Sequence, residues 1–120
     1  MDDVLKRIDD QVKNHPIVLY MKGTPQFPQC GFSARAAQVL IACEVEFDYV
    51  NVLTDPEIFQ NLSRYANWPT FPQTYVSGEL IGGSDILLEM HEKGELQPML
   101  SAAVEESAAK AGAASGEVAS

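Results

Sequence analysis

A chain of 120 residues with 46% hydrophobic side chains has the size of one domain with its own core, and its formal charge of −9 argues against nucleic acid or a membrane surface as the main partner. No run approaches the roughly 20 apolar residues of a membrane span, and the acidic start Met1-Asp2-Asp3 opens neither a secretory signal nor an Arg-rich presequence, so a cytoplasmic protein is expected. Two cysteines, Cys30 and Cys43, are too few for a disulfide framework or a four-cysteine metal site within one chain.

Asp2 or Asp3 can cap a first helix whose Val4, Leu5, Ile8 and Val12 form one apolar stripe, ending near Asn14-His15-Pro16. The continuous apolar run Ile17-Val18-Leu19-Tyr20-Met21 then reads as a central strand. A loop with two prolines and a glycine follows, and from Gly31 the spacing of Phe32, Ala36, Val39 and Leu40 fits one helical face up to about Cys43. Val45 to Val50 alternates like a half-exposed strand, which gives a βαβ unit with parallel strands. Asp55-Pro56-Glu57 is a helix start, with a capping carboxylate, proline in the first turn and an acid beside it; Ile58, Leu62 and Tyr65 mark the buried face.

The chain changes character at Trp68-Pro69-Thr70-Phe71-Pro72-Gln73, before a strand Thr74-Tyr75-Val76, a Ser77-Gly78 turn and a returning strand Glu79-Leu80-Ile81. Gly82-Gly83-Ser84-Asp85 opens the next helix, where Ser84 or Asp85 can cap, Ile86, Leu87 and Met90 pack, and Gly94 stops the run. An amphipathic segment from Leu96 to Val104 closes the domain, residues 1–104. From Glu105 to Ser120 the chain is Ala, Ser, Gly and Glu with almost no large side chain, which predicts a disordered tail. The fold class is α/β, with a parallel pair and an antiparallel hairpin in one mixed sheet.

Cys30 stands where a loop turns into a helix, so the partial positive charge of the helix N-terminus favours its thiolate. From Gln11 to Cys43 there is no acid, while Lys13, Lys22 and Arg35 are basic; the remaining 87 residues carry all 17 acids against five bases. An anionic small ligand would be drawn to that stretch. Cys43, inside an apolar helical run, reads as a packing residue. A helical rise of ~1.5 Å per residue separates the two thiols by roughly 20 Å, against a disulfide Cα limit of about 7 Å, so Cys30 acts without a second thiol from its own chain.

Two loops should face Cys30, because ligands collect at the carboxyl ends of parallel strands. Base rates make the Phe71-Pro72 bond trans; a cis bond would turn the Phe71 backbone outward toward a peptide-like ligand. Gly82-Gly83-Ser84-Asp85 can receive a carboxylate on its amides and an ammonium on Asp85. His15 and His91 lack metal spacing and read as surface residues, Tyr65 and Trp68 as packing residues, and the acids from Glu44 to Glu57 as a solvated face.

Four blocks, Lys22-Gly23-Thr24-Pro25, Cys30-Gly31-Phe32-Ser33, Trp68 to Gln73 and Gly82 to Asp85, give residues 3 to 104 a resemblance to the monothiol glutaredoxins of the Cys-Gly-Phe-Ser class. The resemblance implies a thioredoxin-like fold with a four-stranded sheet and about five helices, a cis bond at Pro72 and a glutathione site. It implies a 2Fe-2S cluster shared by a homodimer, each chain giving one cysteine and each glutathione another thiolate. The implied role is iron-sulfur cluster assembly and transfer to recipient proteins, often with a BolA-type partner. By position, Cys30 is the metal ligand and redox thiol, Lys22 pairs with a glutathione carboxylate, the Phe71 backbone pairs with the cysteinyl part, and Gly83, Ser84 and Asp85 hold the γ-glutamyl end. Two departures stand out: Phe59 replaces an arginine that helps bind a glutathione carboxylate in many relatives, and Ser84 replaces a second cysteine.

The chemistry agrees, since such a cluster takes four thiolates and two chains plus two small thiols supply four. Ser33, where a dithiol relative has its second cysteine, cannot resolve a mixed disulfide. The competing readings are a glutathione-dependent thiol-disulfide oxidoreductase that removes glutathione from protein thiols, and an adaptor whose tail or acidic face binds a partner.

Overall fold

The structure is a computed structural model that describes residues 2–119, with side chains through Lys110. Helix α1 (Asp3–Asn14) begins where the Asp2 carboxylate accepts from the Leu5 N–H at 3.1 Å, as an N-cap carboxylate should. Strand β1 (Ile17–Met21) is buried throughout, α2 spans Gly31–Ala42, and β2 is the short Asp48–Asn51. A single 3-10 turn, Val52–Thr54, leads into α3 (Pro56–Ala66), whose Asp55 side chain accepts from Ile58 N at 3.2 Å. Strands β3 (Gln73–Val76) and β4 (Glu79–Gly82) form the hairpin, followed by α4 (Ser84–Glu92) and α5 (Leu96–Ala119).

The sheet order is β2-β1-β3-β4, with β1 parallel to β2 and antiparallel to β3, and β3 antiparallel to β4. The strict alternation of β1 sorts the core into two layers. Ile17, Leu19 and Met21 face α2, α4 and α5 through Ala36, Leu40, Leu87, Leu96 and Leu100; Val18 and Tyr20 face α1 and α3 through Ile8, Val12, Ile58 and Leu62. Each fully buried aliphatic side chain of this kind contributes about 1.5–3 kcal/mol, and the sheet is thereby held rigid between helices on both faces. The loop after β1, the loop before β3 and the loop after β4 all lie at the carboxyl end of β1.

Four expectations need correction. Val45 to Phe47 lie outside the sheet, and β2 starts only at Asp48, because an edge strand is paired on one side alone. Phe32 does not join the buried face of α2: it is 56% exposed, because it sits in the first turn beyond the sheet's end. Helix α4 is capped by Gly83 with no side-chain hydrogen bond, and Ser84, the first helical residue, is buried. The tail expected to be disordered from Glu105 instead prolongs α5. Alanine is the best helix former, and here it extends a helix already nucleated by the packing of Leu96, Leu100 and Ala103, with Lys110 paired to Glu106 at 3.2 Å. Ser120 lies outside the described residues.

Candidate functional site

The loop between β1 and α2 folds back on itself. Thr24 and Phe27 exchange backbone hydrogen bonds at 3.2 and 3.1 Å, Gln29 N donates to Lys22 O at 2.9 Å, and Gly23 N donates to the Asn51 side-chain oxygen at 3.0 Å. Pinned this way, the chain delivers Cys30 as the N-cap residue of α2, in extended conformation, with its sulfur partly exposed. The sulfur makes no tight capping hydrogen bond. The Ser33 amide foremost, then the Phe32 amide, the Ser33 hydroxyl and the Lys22 ammonium hold the thiol below its usual pKa, against the opposing effect of partial burial. Ser33 is fully buried and serves twice, because its Oγ also accepts from Lys22 N at 3.0 Å and so joins the end of β1 to the start of α2.

Cys30 opens on a groove of about 850 Å³ whose walls include Lys22, Phe59, Trp68, Phe71, Gly83 and Asp85. The Phe71-Pro72 peptide bond is cis, as the resemblance implies and the base rate does not. Gly83 approaches the Pro72 carbonyl so closely that a Cβ there would lie 3.3 Å from it, which brings the two loops into contact. The Lys22 ammonium lies 5.9 Å from the Phe59 ring centroid, and Phe59 leans on Phe71 with centroids 5.3 Å apart. Asp85, strongly exposed, faces Arg35 of α2 at 3.8 Å.

Lys22, Cys30, Phe71, Gly83, Ser84 and Asp85 therefore line one cavity. Lys13, counted in the same basic stretch, does not: it pairs with Asp9 at 3.0 Å and lies beside His15 and Pro16, at the opposite end of β1. Cys43 is buried at the far end of α2, 3.9 Å from His91 Nδ1, and burial pushes its thiol pKa up. Sequence reasoning assigned Trp68 and Phe32 to packing, yet both line the groove, together with Ser63 and Gln73. Their neighbours come from distant parts of the chain, and no local spacing signals that. Among the described residues no three His, Cys, Asp or Glu side chains gather where they could hold a metal ion.

A lone nucleophilic sulfur at a helix start, a cis-proline loop across from it and a mixed four-stranded sheet beneath define the thioredoxin-like thiol proteins. Residues 17–81 match the glutaredoxin family profile, and the chain belongs to that family as a monothiol member, with Ser33 three residues beyond Cys30. It is 56% identical to glutaredoxin 4 of Haemophilus ducreyi over 98 residues, 82% of this chain and 92% of that one. It is 51% identical to glutaredoxin 4 of Escherichia coli over 110 residues, covering 92% of each. The solution structure of reduced poplar apo GrxS14 superposes with a TM-score of 0.71 at 44% identity, over 82% of this chain and 91% of that one.

Proposed function

We propose that this glutaredoxin carries 2Fe-2S clusters as cargo for iron-sulfur assembly, with glutathione bound in the groove beside Cys30. The observation that carries the reading is a single accessible thiol per chain opening on a groove with room for a tripeptide. Four thiolates hold such a cluster, and this donor set fits only when it is shared: two Cys30 thiolates from a homodimer and two from glutathione. Lys22 would pair with a glutathione carboxylate, the Phe71 backbone with the cysteinyl unit, and Gly83, Ser84 and Asp85 with the γ-glutamyl end. The family resemblance adds a cytoplasmic setting, a BolA-type partner and apoprotein recipients.

The lowered pKa of Cys30 also supports a second reading, glutathione removal from protein thiols. There the Cys30 thiolate attacks the glutathionyl sulfur and releases the protein thiolate; a second glutathione thiolate then attacks the mixed disulfide, leaving reduced Cys30 and oxidised glutathione. Anaerobic reconstitution with ferrous iron, sulfide and glutathione separates the two. The carrier reading requires a coloured dimer that Cys30→Ser abolishes. A colourless monomer that turns over a glutathionylated peptide would replace it with the second reading.

A further inference from the structure

Trp68 to Pro72 forms one wall of the groove, and among the described residues no backbone–backbone hydrogen bond holds it. Pro69 and Pro72 have no N–H to give. The hydrogen bonds that hold its carbonyls come from one side chain, Gln73, the first residue of β3 and only 1% exposed. Its Nε2 donates to the carbonyls of Trp68 at 3.0 Å and Thr70 at 3.2 Å, which uses both of its protons. Its Oε1 accepts from the Tyr75 hydroxyl at 2.8 Å. The three contacts fix the amide's orientation, because a flipped amide would set Oε1 against two carbonyl oxygens.

Tyr75 is itself buried, packed edge-on to Tyr20 at 5.5 Å between centroids and against Tyr65 at 6.0 Å, within the core layer of α1 and α3. We infer that Gln73, held by Tyr75, is the positioning residue of the ligand groove: its buried amide sets the path of Trp68 to Pro72 and so the direction of the Phe71 backbone. This rests on the reading of the groove as the glutathione site, and it adds a buried residue whose amide acts through the loop carbonyls it holds. Buried polar groups that satisfy one another in this manner fix one geometry, and a half-satisfied remnant does not.

The test uses full-length Gln73→Met, Tyr75→Phe and, as control, Tyr20→Phe, whose lost hydrogen bond to Gln11 lies in the same core layer but does not reach the loop. Glutathione affinity is measured by calorimetric titration, Cys30 ionisation by thiolate absorbance, stability by thermal unfolding and loop geometry by backbone amide spectra. Gln73→Met should weaken glutathione at least tenfold and shift the Trp68, Thr70 and Phe71 amides, with Cys30 ionisation unchanged. Tyr75→Phe should weaken binding about threefold; Tyr20→Phe should lower the melting temperature with affinity intact. Wild-type affinity and unmoved loop amides in Gln73→Met would overturn the inference, and so would equal affinity losses in all three variants. Should the wild type itself fail to bind glutathione, the reading of the groove falls, and the amide spectra alone decide whether Gln73 sets the loop.

Discussion

Replacing Gly23 with alanine should unseat the loop that carries Cys30. Gly23 adopts φ +95°, a conformation that costs a side-chain-bearing residue about 1–2 kcal/mol. Its new Cβ would stand 2.6 Å from Phe27 O and 2.7 Å from Gln29 N, both backbone atoms. Neither atom can swing aside, because Gln29 N is bonded to Lys22 O and Phe27 O to Thr24 N. Relief must break at least one of those hydrogen bonds, which costs about another 1–2 kcal/mol. The total of about 2–4 kcal/mol corresponds to a melting temperature lower by about 8–16 °C for a domain of this size. Gly31→Ala provides the contrast: a Cβ there meets nothing within 4 Å and φ is ordinary, so alanine should be neutral or stabilising by up to about 1 kcal/mol. Thermal unfolding followed by circular dichroism, with alkylation of Cys30 as a readout of the loop, compares the two. Gly23→Ala melting within about 2 °C of wild type, or Gly31→Ala falling as far as Gly23→Ala, would refute the reasoning.

Ser33→Ala should raise the Cys30 pKa and slow iodoacetamide alkylation at pH 7, while stability falls by about 1–2 kcal/mol because Lys22 N loses its acceptor. The lowered thiol also has a linkage consequence: its folded pKa lies below the unfolded value near 9, so its contribution is complete above that value and is lost as pH falls through the folded pKa. The melting temperature of wild type relative to Cys30→Ser should therefore rise between neutral pH and about pH 9, whereas a flat difference would contradict a stabilised thiolate. Arg35→Gln should change glutathione affinity by less than about fivefold in a calorimetric titration, since its 3.8 Å approach to Asp85 is an exposed ion pair of small net value.

How much of this was legible depended on whether the signal was local. Asp2 and Asp55 as caps, and the buried run of β1, follow from a few adjacent residues and stand as expected. Lys22, Cys30, Phe71, Gly83, Ser84 and Asp85 sit in separate parts of the chain, and the motifs of the glutaredoxin resemblance gathered them before the fold did. Gln73 was seen only as the end of a motif, because its role lies in carbonyls three and five residues upstream and in a hydroxyl across the core layer. Phe32 is expected on a helical face from its spacing and Trp68 in the packing from its residue type, and neither signal distinguishes a groove wall from a core. The helical run after Glu105 differs for another reason: low complexity points to disorder, whereas alanine's helix propensity prolongs α5.

The central claim is that one chain offers a single usable sulfur and must borrow the rest. Native mass spectrometry of anaerobically reconstituted protein counts the donors directly. The prediction is one species with two chains, two irons, two sulfides and two glutathiones, retained in Cys43→Ser and absent in Cys30→Ser. A cluster held by one chain, formed without glutathione, or surviving the loss of Cys30 would contradict it.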